Sequence, residues 1–160
     1  MSGWSGVAPP DVDRLPDRVS AFEEKLGHRF RDRALLERAL THASYAHEHP
    51  PAAHNEALAL LGDAALSLVV VEHLYGTASD APVGVLTPQR ADVVSGANLA
   101  RWAETLGLGD LVKLGRGEEQ TGGRARASIL ATTIEAVLGA IHLDGGLDAV
   151  RAAVRRLALW

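Results

Sequence analysis

The sequence predicts an all-α domain, and three observations carry that expectation. Apolar residues recur three and four positions apart, the period of a helix face, and no run alternates with the period of two that a strand requires. Hydrophobic residues make up 47% of the 160-residue chain but aromatics only 4%. The core must therefore be built from Ala, Leu and Val, which favours close-packed helices. Glycine and proline fall between the apolar runs and punctuate them.

Residues 1–17, rich in Gly, Pro and Asp, read as a flexible tail, and residues 18–160 as the folded domain. A first helix starts near Arg18, with Val19, Phe22 and Leu26 at helical spacing and Gly27 as its stop. A second starts near Asp32, a suitable N-cap, with Leu35, Leu36, Ala39 and Leu40 on one face. Residues 42–55, HASYAHEHPPAAHN, read as a loop with two prolines. A long helix follows over 54–75, then a turn at 82–84, a helix over 88–95 broken at Gly96, and another over 98–106 stopped by Gly107. The glycine-rich stretch 107–123 reads as a loop. Residues 128–143 form a second long apolar helix closed by Asp144-Gly145-Gly146, and 147–159 a last amphipathic one. No internal repeat and no heptad seam is present.

The length suits one domain with one core. The chain lacks cysteine, which excludes disulfides and thiolate metal sites and fits a reducing, cytoplasmic setting. The start has no basic region followed by an apolar run, so no secretory signal is expected. The longest apolar stretch, 57–71, is broken by Gly62 and Asp63 and falls short of the ~20 residues a membrane span needs. No membrane association is expected. The net charge of −4 is not that of a strongly basic nucleic-acid binder, so any RNA contact must come from a local patch or be weak.

The chemistry-bearing residues are isolated acids in apolar helices: Glu56 and Asp63 on one, Glu135 on another. A helix that is apolar almost all round is expected to be buried, and a buried carboxylate must be paired or bind a cation. Glu56, Ala59 and Asp63, at i, i+3 and i+7, line one face. Two such helices packed together could pool their acids into a Mg²⁺ site, because Mg²⁺ takes oxygen ligands and keeps several waters. The competing reading makes each acid an N-cap or a salt-bridge partner. GRGEEQTGGR, residues 115–124, lacks the G-x-x-x-x-G-K-[ST] pattern of a phosphate cradle. Arg116, Arg124 and Arg126 nonetheless make it the best local basic patch. His42, His47, His49 and His54 crowd one segment, but their spacing matches no standard zinc site.

These residues resemble a known family. HNEALALLGDAAL, residues 54–66, is similar to the ribonuclease III signature, whose usual form is HNERLEFLGDAVL. Residues 26–48 and 106–146 resemble the family's opening and closing segments, including its SILAD-x-x-EA-x-x-GA-x-x-LD pattern. The resemblance covers roughly residues 18–150, in order. It implies the all-helical endonuclease-domain fold, a two-fold homodimer, and Mg²⁺-dependent cleavage of double-stranded RNA. The family's metal site uses four carboxylates. Two of them match Asp63 and Glu135, which are thus the expected catalytic and metal residues; the other two positions hold Ala59 and Thr132. Asn55 and Glu56, which open the signature, and Arg116 and Arg124 are the expected binding residues. Leu60 stands where the family has an aromatic at the dimer contact and stays apolar. No double-stranded-RNA-binding domain follows the nuclease-like region within the 160 residues.

The resemblance thus leads to a degenerate site in which Mg²⁺, or Mn²⁺, is weakly bound or absent. Endonuclease activity is expected to be weakened or lost, with the fold kept as a dimeric RNA- or protein-binding module. The alternatives are an active nuclease working with the reduced site, a fold repurposed for a small molecule in the dimer cleft, and a heterodimer in which an intact relative supplies the competent site.

Overall fold

A computed structural model describes residues 14–160, and among these the regular structure is helical. The α-helices are α1 (Leu15–Leu26), α2 (Arg33–Ala39), α3 (Ala43–Glu48), α4 (Glu56–Thr77), α5 (Val83–Val93), α6 (Gly96–Leu106), α7 (Arg116–Gln120) and α8 (Ala127–Ala158). Short 3₁₀ turns lie at Leu108–Asp110 and Gly123–Ala125, and a single parallel bridge joins Thr41 to Lys113.

The helix boundaries follow local chemistry. Asp32 caps α2 by accepting from Ala34 N at 2.9 Å, and Ser95 caps α6 by accepting from Asn98 N at 3.2 Å. Gly27 and Gly107 end α1 and α6 in the left-handed conformation (φ 76° and 73°), which glycine adopts without a Cβ clash. Gly146, at φ 78° and ψ −177°, breaks α8 where the Asp-Gly-Gly run predicts a stop.

The centre of the molecule is the packing of α4 on α8, with α6 against the other side of α8. Leu66, Val70, Ile134, Leu138 and Ile141 are fully buried there, with Leu99, Trp102 and Leu106 contributed by α6. At the crossing the two backbones touch. A methyl group at Gly62 would overlap the Glu135 carbonyl, and one at Gly139 would overlap that of Leu58. Glycine in a helix interior costs about 1 kcal/mol relative to alanine, so both residues are explained by this close approach.

Several segments differ from expectation. Of the expected tail, residues 1–13 lie outside the described residues, and α1 begins at Leu15 because Pro16 in a first turn needs no N–H partner. The expected loop 42–55 contains α3, whose start is capped by His42 accepting from Ser44 N at 3.2 Å. The 107–123 loop contains α7. Helix α5 begins after Pro82 and runs through Pro88. It buries no residue, so the carbonyl that Pro88 leaves without a donor faces water. Helix α4 runs to Thr77, close to the expected end at Tyr75, but its apolar window reaches beyond the 57–71 stretch, so α4 and α8 are both long and apolar enough to cross a bilayer by length and composition. In the fold they form the central pair, and 61% of the apolar window of α8 is buried.

Candidate cation site at the α4–α8 crossing

The glycine contact that joins α4 to α8 also sets the distance between their acids. Asp63 follows Gly62, and the carbonyl that Gly62 touches belongs to Glu135. Across the crossing the two carboxylates are close enough for the charge of Asp63 to act on Glu135. Their surroundings differ. Asp63 is exposed, whereas Glu135 is half-buried. Desolvation pushes the Glu135 carboxyl up to about 7, and the neighbouring charge of Asp63 pushes it the same way. Thus Asp63 does not meet the expectation of a buried acid. The face of α4 that carries Leu60 (75% exposed), Leu68, Val71 and Tyr75 is left largely uncovered by the described residues, and Asp63 is exposed as well.

Ala59 is 6% exposed and offers no donor atom. Thr132 is half-buried one turn before Glu135. Its neighbour Thr133 is fully buried and spends its hydroxyl on Ile129 O at 2.7 Å. The donor set is therefore two carboxylates and one hydroxyl, and no group of three or more Asp, Glu, His or Cys residues assembles among the described residues. Two like charges close enough to raise a pKa are relieved by a divalent cation. The residues fit a hard cation held by few protein oxygens and keeping most of its waters.

The other expected site residues sit elsewhere. Asn55 is fully buried: its Nδ2 donates to Ala39 O at 3.1 Å, its N–H to Thr41 O at 3.0 Å, and its Oδ1 has no partner. It ties the start of α4 to the end of α2 and presents nothing at the surface. Glu56 is exposed and faces His54 Nδ1 at 3.7 Å. Arg124 is committed internally, to Glu119 at 2.5 Å and to the carbonyls of Gly109 and Val112 at 2.8 and 2.9 Å. Arg126 pairs with Glu118. The expected basic patch is thus largely neutralised by its own acids. Arg116 is exposed, with its backbone N–H held by Glu48 Oε1 at 2.9 Å. Of the crowded histidines, His42 bonds Ser44 and His49 stacks on Tyr45.

Two acids that anchor the fold escape a reading based on acids in the two long apolar helices. Asp144 is buried and accepts from His28 Nε2 at 2.9 Å, Arg31 N at 3.1 Å and Asp32 N at 3.0 Å, while its carbonyl accepts from the Arg31 guanidinium. Glu23, also buried, accepts from Phe30 N at 3.0 Å and Arg33 at 2.5 Å. The sequence signals for Asp144 are its place before the glycine pair that breaks α8 and its match to the Asp that closes the family's SILAD pattern.

Comparison with known proteins agrees with this architecture. A family model described as Ribonuclease-III-like matches residues 32–159. Ribonuclease 3 of Streptomyces coelicolor is 53% identical over 152 residues, 93% of this chain and 55% of that protein. Ribonuclease 3 of Caldanaerobacter subterraneus is 47% identical over 134 residues, 83% of this chain and 59% of that protein. The chain therefore spans little more than half the length of these relatives. The nuclease domain of Campylobacter jejuni ribonuclease III, a structure described for flexibility in its dimer-forming region, is similar with a TM-score of 0.81 and 37% identity, covering 87% of this chain and 94% of that one. With a helical core of the same shape and a family match over most of its length, the chain belongs to the ribonuclease III family.

Proposed function

We propose that this chain is a ribonuclease III-type domain whose cleavage of double-stranded RNA is weakened or lost, and that it acts as a dimeric module binding structured RNA. The observation that carries this reading is the composition of the α4–α8 crossing. Asp63 acts on Glu135 there, the neighbouring positions 59 and 132 hold Ala and Thr, and no group of three or more acids or histidines assembles among the described residues, which supports this reading. Asp63 and Glu135 would hold the cation, with Thr132 as a neutral oxygen beside them. When bound, Mg²⁺ or Mn²⁺ would activate water and stabilise charge on a displaced phosphate. With two carboxylates in place of four, its affinity is expected to be low.

Dimerisation is supported by the uncovered apolar face of α4, because an exposed apolar patch of this kind marks an interaction surface. A net charge of −4 leaves few phosphates to be neutralised, so RNA binding is expected to be weak, with only a shallow dependence on salt. A cytoplasmic location accords with the absence of cysteine.

A second reading, an active nuclease with a reduced site, draws on the raised proton affinity of Glu135, part of which comes from Asp63. Two acids that repel each other still define a place for one cation.

The test is to incubate the protein with a long RNA duplex across Mg²⁺ and Mn²⁺ concentrations, with Glu135→Ala run beside it and the oligomeric state measured. Duplex binding by a folded dimer without cleavage supports the proposal. Cleavage abolished by Glu135→Ala overturns it in favour of the second reading. A monomer that pairs only with an intact relative would point to a heterodimer. The Ala59→Glu, Thr132→Asp double variant should gain at least about tenfold in Mg²⁺ affinity, since each new carboxylate adds a charged ligand; isothermal calorimetry reads this directly.

A further inference from the structure

Away from the carboxylate pair, α2, α3 and the 49–53 segment enclose an open cleft of about 600 Å³, lined among others by Glu37, Arg38, Tyr45, His49 and Lys113. That volume lies within the range of small-molecule sites. The backbone of Lys113 and the side chains of Arg38 and His49 are held by contacts of their own. Lys113 sits at the Thr41 bridge: its N–H donates to Leu40 O at 2.7 Å and its carbonyl accepts from His42 N at 3.0 Å. Its ammonium, 6.0 Å from the centroid of the Tyr45 ring, has no carboxylate partner among the described residues. Arg38 Nε donates to His54 O at 3.1 Å, and its guanidinium likewise forms no ion pair there. His49 lies flat on Tyr45, with centroids 4.1 Å apart and planes 12° apart, and a 3.0 Å contact between its Nδ1 and Tyr45 O fixes the ring. The imidazole is exposed, so its outer face is a flat platform on the cleft.

We propose that this cleft is a nucleotide-binding site, in which Lys113 and Arg38 hold a phosphate and the His49–Tyr45 stack carries a base. Unpaired cations on a rigid frame suit a phosphate. A planar stack open on one side suits a base, since every base has a π-face. A carboxylate ligand would use the cations and leave the platform idle. Two sources share this chemistry: a free nucleotide and the unpaired end of an RNA strand. The proposal uses neither Asp63 nor Glu135, so it stands or falls separately from the nuclease reading.

The experiment is a metal-free NMR titration of the full chain with adenosine 5′-monophosphate, adenosine, inorganic phosphate and a short single-stranded RNA. Lys113→Gln and His49→Ala are titrated in parallel. Neither substitution touches the buried core, and Lys113→Gln keeps the backbone bridge. The monophosphate should bind more tightly than adenosine or phosphate alone and shift resonances of His49 and Tyr45, and each substitution should weaken it about tenfold. Tighter binding of the single strand than of the monophosphate assigns the site to an RNA end; equal binding assigns it to a free nucleotide. No monophosphate binding up to about 10 mM, or binding that neither substitution weakens, overturns the proposal.

Discussion

Glu135 and Asp144, nine residues apart on α8, are pushed in opposite directions by their surroundings. Burial and the charge of Asp63 raise Glu135 to about 7. Burial acts on Asp144 as well, but the hydrogen bonds from Asp32 N, Arg31 N and His28 outweigh it and hold this carboxyl below its ordinary value. A native carboxyl that holds its proton more tightly than the unfolded chain does favours folding in acid and loses that preference as pH rises. The contribution of Glu135 is therefore complete below its unfolded value of 4.5 and lost as pH climbs through about 7. Melting temperature in the presence of a chelator should fall across that window, and Glu135→Gln should flatten the fall. Asp144 has the opposite sign: its contribution is present above 3.8 and lost as pH drops through its lowered native value. Asp144→Ala, which leaves two part-buried backbone N–H groups and His28 without an acceptor, should cost about 2 kcal/mol in urea unfolding. Asp63 and Glu135 were both legible in the sequence as lone acids in apolar helices. The proton affinity of Glu135 was not, because it depends first on burial against packed neighbours and then on a residue 72 positions away. Nor was the interior role of Asn55, whose partners lie at the end of α2 and just beyond it.

The long helices were legible because several turns of apolar periodicity repeat the same message, and because Gly27, Gly107 and Gly146 stop them at the expected places. Helices α3 and α7 were not. With six and five residues they show less than two turns of pattern. Their positions depend instead on each other, through Ser44 Oγ accepting from Gly115 N at 2.9 Å and Glu48 accepting from Arg116 N. The α4–α8 crossing is the element on which the fold depends most. Gly62→Ala should force the two helices apart and cost about 3 kcal/mol or more, read as a lowered denaturation midpoint. An alanine at the exposed Gly84, where an added Cβ meets nothing, should leave stability almost unchanged and serves as the control.

Over the whole molecule, the largest departure from a self-contained globule is the outer face of α4. The sequence makes this helix apolar all round, and the single chain covers only part of it. Leu60 is 75% and Tyr75 65% exposed. If a second copy covers this face, Leu60→Glu should convert the dimer to a folded monomer in sedimentation, with helical content unchanged, because the side chain makes no buried contact within the protomer. The contact between Gly62 and Gly139 has a different reach. It is made by backbone against backbone, and the helices keep their spacing whatever short side chains occupy positions 59, 63, 132 and 135. At the exposed Asp63 a change alters chemistry with little penalty to folding, whereas a carboxylate placed at the buried Ala59 must find a cation or a partner. On this scaffold a cation ligand is therefore shed more easily than it is regained.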